Sequence, residues 1–214
     1  MDEKIGADGP LAAVGHTGAL RSGVRSVQVV ALSMSVLALS GCAAQHVWAD
    51  DAFVARSAYS APGPATVTLI TSINSSTGSG SHTALMIDGA QRLLFDPAGH
   101  WTDAGVPERN DVWFGMSPAY LDRYMAFQSE GEYTVHTHTV QVSPAIAQQL
   151  SQVVQTAGPI PSFYCSQTIS GILGATPGFE RVDQTFFPTV LMGQFANAPG
   201  VTERIIEEVS LPAG

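Results

Sequence analysis

The chain has 214 residues, of which 45% are hydrophobic and 13% are charged. This composition is typical of a globular protein with a sizeable core and argues against a disordered chain. The formal net charge is -9, and beyond residue 41 the only cations are six scattered arginines. Because neutralising phosphates requires clustered Lys and Arg, this pattern argues against nucleic acid as a partner.

An apolar segment over residues 27–39 follows Arg21 and Arg25. It is too short to cross a bilayer comfortably and has the length of the hydrophobic region of a signal peptide. The residues that follow it, Ser40-Gly41-Cys42-Ala43, complete a pattern that resembles the bacterial lipobox. The resemblance implies that residues 1–41 are a lipoprotein signal peptide with a long leader and that Cys42 carries the lipid. An ordinary secretory signal, cut near residues 43–44, is the alternative.

Lipidation at Cys42 would make the membrane a partner of this protein, because acyl chains on one cysteine bury enough methylene groups for stable anchoring. Ala43 stands where an Asp would favour retention at the inner membrane, so the analogy implies the outer membrane, facing the periplasm. Residues 42–64 end in a Pro/Gly turn and are predicted to be a tether. Residues 65–214 are predicted to form the folded domain, which we expect to be a monomer.

The predicted elements of this domain begin with a β-branched strand at 65–73 and a Gly/Ser-rich loop at 74–81. Two short apolar runs, 82–87 and 92–95, are joined by an Asp-Gly turn and predict a hairpin. A long irregular segment extends to residue 116. We expect its aromatic residues, Trp101, Trp113 and Phe114, to anchor it to the core.

Ser-Pro pairs then predict the starts of two helices, one ending near residue 128 and the other running from 143 to about 158. Between them, residues 132–142 alternate as a strand does. Further helices are predicted at 165–173 and about 188–195, and a last strand at 203–209. The set predicts an α+β fold in which helices lie beside a small antiparallel sheet.

Cys165 has no intramolecular partner if Cys42 carries lipid, since the chain has two cysteines. An unpaired thiol in an oxidising envelope indicates either a buried structural residue or a nucleophile. Pro161 and Ser162 place Cys165 in or near the first turn of its helix, where the helix dipole stabilises a thiolate. The backbone N–H groups of Cys165 or Ser166 are candidates to receive an oxyanion there.

A thiol nucleophile requires a base, and four histidines lie within the predicted domain: His82, His100, His136 and His138. His82 is the best placed, because it begins a strand directly after a Gly-rich loop where a ligand can approach. A structural histidine at the edge of the sheet is the alternative interpretation of His82.

The hairpin also supplies a candidate residue to orient His82. If its turn centres near residues 89–90, the strand end opposite His82 lies near residues 96–98, and Asp96 can accept a hydrogen bond from the imidazole. A register error of one or two residues leaves His100 and Asp88 as substitutes. Asp96 also precedes Pro97, so it has an alternative interpretation as a turn residue.

These residues resemble the circularly permuted branch of the NlpC/P60 papain-like superfamily. The resemblance lies in Gly80-Ser81-His82-Thr83-Ala84 and in Phe163-Tyr164-Cys165-Ser166-Gln167, in that order along the chain. It implies a papain-like sheet or barrel packed with helices, with Cys165 as nucleophile and His82 as base. It places Tyr164 and Ser166 beside the nucleophile. The third polar residue of the site varies across the family, so the resemblance implies the role of Asp96 least directly.

The family's chemistry implies a thioacyl-enzyme formed from an amide or ester, with a peptidoglycan peptide or a lipid as substrate and no cofactor. One rival hypothesis is a metal site, since His136 and His138 lie two apart on a strand and face one side. We favour a polar strand face there and expect no metal. The other rival is a non-catalytic envelope lipoprotein that binds a partner through the same cleft.

Overall fold

A computed structural model of the chain describes residues 46–207. The predicted signal segment and Cys42 lie outside the described residues, as do residues 208–214. The described chain contains five helices: α1 (Asp51–Ser57), α2 (Pro118–Gln128), α3 (Pro144–Thr156), α4 (Cys165–Gly174) and α5 (Pro188–Ala196). None of these helices has both the length and the apolar character needed to cross a membrane.

The same residues contain seven strands: β1 (Thr66–Asn74), β2 (Gly80–Asp88), β3 (Arg92–Phe95), β4 (Glu108–Arg109), β5 (Val112–Phe114), β6 (Tyr133–Gln141) and β7 (Thr202–Ile206). They form one sheet in the order β4-β5-β3-β2-β1-β6-β7, and every neighbouring pair is antiparallel. The prediction of a mixed α+β fold with an antiparallel sheet is therefore confirmed.

The sheet is covered on both faces. Leu69 and Leu85 belong to one buried cluster, together with apolar residues of α3, α4 and α5. Ile70 and Ala84, their neighbours along the strands, belong to a second cluster that includes residues of α2 and of the 101–116 segment. Because successive side chains of a strand point to opposite faces, these two clusters are the two sides of the sheet.

The β2–β3 hairpin turns at about residue 90, close to the centre expected from the sequence. Asp88 pairs with Arg92 next to the turn, and Leu85 pairs with Phe95 at the other end. The side chains of Asp88 and Arg92 also form an ion pair at 2.6 Å. This register places the residues after Phe95 opposite the beginning of β2, and it therefore positions the candidate site.

The structure differs from the sequence prediction in residues 46–64, which we assigned to a tether. Trp48 forms a β-bridge with Arg109 of β4, and the Ala49 N–H donates to the carbonyl oxygen of Glu108 at 2.9 Å. Helix α1 follows, with Asp50 as its N-cap. From His46 onward, contacts with the edge of the sheet therefore take the place of the free linker that we predicted.

The segment between β3 and α2, predicted to be irregular, contains the short β4–β5 hairpin. Its aromatic residues anchor it as expected: Trp101 and Trp113 are buried and lie edge to face at 4.7 Å between ring centroids. Trp101 makes a second edge-to-face contact with Tyr124 of α2. The pairing of β4 with β5 was not predicted, because strands of two and three residues have too few positions to show alternation.

Candidate active site

Cys165 is the first residue of α4, and its side chain is 7% exposed. The imidazole of His82 and the backbone N–H of Thr83 lie close enough to the sulfur to lower the pKa of Cys165. The Ser166 hydroxyl lies 3.9 Å from the sulfur and is fully buried. The predicted nucleophile and the predicted base, 83 residues apart in sequence, are therefore in direct contact.

His82 lies near the start of β2, and its Nε2 donates to Asp96 Oδ1 at 2.6 Å. The Asp96 carboxylate is 1% exposed, whereas the imidazole is 17% exposed. Since Nε2 is engaged by Asp96, Nδ1 is the ring nitrogen available to Cys165. The hairpin register thus brings Asp96 to His82, as the sequence predicts.

Two residues of α2 extend this network and were not predicted from the sequence. The Tyr124 hydroxyl donates to Asp96 Oδ1 at 2.7 Å, and Gln128 Nε2 donates to the Tyr124 oxygen at 2.9 Å. Both side chains are buried. Their spacing of four residues, which places two polar groups on one helix face, is the only signal in the sequence that points to them.

The site is electrostatically organised around one buried negative charge. Burial alone lowers the pKa of His82, but the charge and hydrogen bond of Asp96, and then those of Cys165, outweigh burial and raise this pKa to about 10. Burial raises the pKa of Cys165, but the hydrogen bond and charge of His82, with the Thr83 N–H, bring it below its usual value. The arrangement therefore lets the thiol ionise more readily than a free cysteine, beside an imidazole that holds its proton more tightly than usual.

Tyr124 keeps its proton in this environment. Burial, followed by the charge of Asp96, raises its pKa well above the usual value of a tyrosine. Its hydroxyl therefore remains a hydrogen-bond donor to Asp96 at neutral pH. Asp96 accordingly has two donors on one oxygen, His82 and Tyr124.

A cleft of about 360 Å³ opens onto the sulfur. Its walls carry no acidic side chain, and its lining consists of Ser81, His82, Ala98, Gly99, His100, Phe127, Gln128, Ser162, Phe163 and Cys165. The first backbone N–H groups of α4 have no partner within the helix, which leaves them able to bind an oxyanion at this cleft. Tyr164 is 42% exposed and packs edge to face against Phe186.

The two residues considered as substitutes for Asp96 are not hydrogen-bonded to His82. Asp88 is at the turn end of the hairpin, paired with Arg92. His100 is exposed and contributes to the wall of the cleft.

The histidines of β6 belong to a different part of the sheet. His136 Nδ1 lies 2.9 Å from Glu203 Oε1, and His138 Nε2 lies 3.6 Å from the same oxygen. Within residues 46–207, no three His, Cys, Asp or Glu side chains are grouped in a way that would hold a metal ion. His82 does not join these two histidines, because it is hydrogen-bonded to Asp96.

In comparisons with known proteins, no family model, no curated protein and no solved structure matches the chain.

Proposed function

We propose that this protein is a cysteine-dependent hydrolase or acyltransferase that acts on amide or ester bonds through a thioacyl-enzyme. The observation that carries the proposal is the chain of contacts from Cys165 to His82 and from His82 to Asp96 in a buried network beside an open cleft. A structural cysteine would need neither a histidine partner nor a carboxylate behind it.

In the proposed reaction the Cys165 thiolate attacks the carbonyl carbon of the substrate, and the carbonyl oxygen becomes an oxyanion. Backbone N–H groups at the start of α4, those of Cys165 and Ser166 among them, hold this oxyanion. The His82 imidazolium gives its Nδ1 proton to the leaving amine or alcohol as the carbon–heteroatom bond breaks. A thioester to Cys165 and a neutral imidazole remain.

The second half of the proposed reaction restores the thiolate. Neutral His82 removes a proton from water, or from the hydroxyl or amine of an acceptor, which attacks the thioester carbon. The carbon–sulfur bond breaks, the acyl group leaves on the new oxygen or nitrogen, and the imidazolium–thiolate pair forms again. Asp96 holds the imidazole orientation throughout, and Tyr124 holds Asp96. These steps use protein groups and the substrates alone, so we propose no cofactor.

We further propose that the domain is a circularly permuted, papain-like member of the NlpC/P60 superfamily. The supporting features are a histidine on a strand that precedes the cysteine in sequence and a cysteine that begins a helix packed on that strand. The lipobox-like sequence at Cys42 supports anchoring in the bacterial envelope, at the outer membrane facing the periplasm. An anchored enzyme would have peptidoglycan peptides and lipid acyl chains within reach as substrates.

The proposal is tested by the pH dependence of Cys165 alkylation with iodoacetamide, which needs no knowledge of the substrate. We expect the wild type to react well below the pH at which a free cysteine reacts. We expect His82→Gln to react about tenfold more slowly near pH 6, because the thiolate loses its charged partner. His136→Gln is the matched control, since His136 contacts Glu203 and not the site, and it should react as the wild type does.

A wild-type thiol that reacts slowly and only at alkaline pH would reject the proposed chemistry and favour the non-catalytic lipoprotein. If the thiol is activated, wild type and Cys165→Ala are incubated with peptidoglycan fragments and with phospholipids and compared by mass spectrometry. An acyl adduct found in the wild type alone identifies the acyl donor and the substrate class.

A further inference from the structure

Asp111 lies outside the catalytic network but contacts both of the segments that carry it. Asn110 and Asp111 form the two-residue turn between β4 and β5, and their φ angles of 44° and 66° are in the left-handed region. A two-residue type I′ turn requires positive φ at both positions, and Asn and Asp tolerate it better than other non-glycine residues. The turn therefore presents the Asp111 side chain in one fixed orientation.

The first of these segments is the turn that follows β3. The Asp96 N–H donates to the Asp111 carbonyl oxygen at 2.8 Å. The Ala98 N–H lies close enough to the Asp111 carboxylate to lower the pKa of Asp111, and Ala98 itself has a φ of 59°. Asp111 thus fixes the backbone on both sides of Pro97, in the turn that supplies the Asp96 carboxylate.

The second segment is the loop that leads into α4. Asp111 Oδ2 accepts from the Ile160 N–H at 2.7 Å. Pro159 and Pro161 flank Ile160 and have no N–H, so Ile160 supplies the one backbone donor of these three residues. The loop ends at Cys165, and Asp111 therefore joins the turn of the orienting residue, through its backbone carbonyl, to the loop of the nucleophile, through its carboxylate.

We propose that Asp111 is a positioning residue, which holds the turn of Asp96 and the loop of Cys165 at the spacing that the His82–Cys165 contact requires. This inference rests on the proposed function and adds a residue through which pH can regulate the same site. An ionised carboxylate accepts from both N–H groups, whereas a protonated one turns one oxygen into a donor and gives up part of this link.

The surroundings of Asp111 make such a change of charge accessible under mildly acidic conditions. Burial raises the pKa of Asp111 to about 6, against the effect of the Ile160 and Ala98 N–H groups. The charged groups that face it are Asp96, which raises this pKa, His82, which lowers it, and Glu108, whose Oε1 accepts from the Asp111 N–H at 3.3 Å. The link should therefore weaken as the pH falls through about 6.

The test is the rate of Cys165 alkylation by iodoacetamide between pH 5 and 10 in the full-length protein. We expect Asp111→Asn to react roughly three- to tenfold more slowly than the wild type at pH 7 and equally fast at pH 10, where the thiol is ionised in both. The additional loss of reactivity that the wild type shows near pH 6 should be missing. Asp111→Gly, which suits the positive φ and lacks the carboxylate, should behave in the same way even if Asp111→Asn folds poorly.

Glu108→Gln is the matched control, because it removes one charge from the same hairpin without touching either segment. A rate loss in Glu108→Gln as large as in Asp111→Asn would overturn the inference, since a general effect of charge would then explain both. Asp111 variants with wild-type rates, measured while the wild-type thiol is activated, would overturn the inference and leave the proposed function standing. A wild-type thiol without activation would overturn both.

Discussion

At the scale of single residues, the carboxylate of Asp96 is the group on which the site depends. A buried charge is costly unless it is paired and hydrogen-bonded. Oδ1 receives two donors, from His82 and Tyr124, while Oδ2 is buried without a hydrogen-bond partner among the described residues. The stability of the site therefore relies on the two donors to Oδ1, and the loss of either one should be measurable.

We predict that Tyr124→Phe destabilises the fold by about 1–3 kcal/mol at pH 7, because it leaves Asp96 with one donor and the Gln128 amide without its acceptor. Urea unfolding measures this difference. Tyr120→Phe is the matched control on the same helix, since the Tyr120 hydroxyl has no hydrogen bond with any of residues 46–207, and its cost should stay within about 0.5 kcal/mol. Equal costs for the two variants would contradict the role given to Tyr124.

At the scale of elements, the β2–β3 hairpin and the turn after it place His82 and Asp96, and α4 places Cys165. The turn after β3 contains Gly99, whose N–H donates to the Asp96 carbonyl oxygen at 3.0 Å. A Cβ added at Gly99 would overlap the carboxylate of Asp96. The requirement for glycine here is a requirement for space, because the Asp96 carboxylate occupies the position that a Cβ would take.

We therefore predict that Gly99→Ala costs about 1–3 kcal/mol in unfolding free energy, because overpacking displaces Asp96, and that it also slows the alkylation of Cys165. Gly193→Ala in α5 provides the contrast. Nothing lies within 4 Å of a Cβ at Gly193, so this variant should gain about 0.5–1 kcal/mol from helix propensity and leave the thiol unaffected. Unchanged alkylation in Gly99→Ala would show that the Asp96 turn adapts without cost.

At the scale of the whole molecule, the ion pair of Cys165 and His82 links folding to pH. The pKa of His82 is raised from 6.5 to about 10, so its contribution to stability is complete below pH 6.5 and is lost as the pH rises to about 10. The pKa of Cys165 is lowered from 9.0, so its contribution is complete above pH 9 and is lost as the pH falls through the folded value. Between the folded pKa of Cys165 and pH 9 the two slopes oppose each other.

We predict that the pair loses part of its contribution to stability as the pH rises from 9 to about 10, where the loss from His82 is no longer offset by a gain from Cys165. In Cys165→Ala the thiol's contribution is absent, so the difference in unfolding free energy between wild type and variant should shrink as the pH falls from 9 through the folded pKa of Cys165. Urea unfolding at a series of pH values measures the difference. A difference that stays constant with pH would mean that the thiol has the same pKa in the folded and the unfolded protein.

The local part of the fold could be predicted because its signals lie close together in the sequence. Ser143 followed by Pro144 predicts the start of α3, and the structure has the Ser143 hydroxyl accepting from the Ile146 N–H at 3.3 Å. A hairpin turn near residues 89–90 brings Asp96 close to His82, and the structure has this register. The sequence left the register uncertain by one or two residues, with His100 and Asp88 as substitutes, and the fold selected Asp96.

What only the tertiary structure decided is the set of partners that come from distant parts of the chain. Tyr124 reaches Asp96 across 28 residues, and Asp111 reaches Ile160 across 49. The contact of Trp48 with Arg109, which ties down the segment assigned to a tether, is of the same kind. A sequence pattern records the period of an element and its caps, which depend on neighbouring residues. The packing of the elements decides which helix face or turn contacts a given carboxylate. No local sequence pattern contains this information.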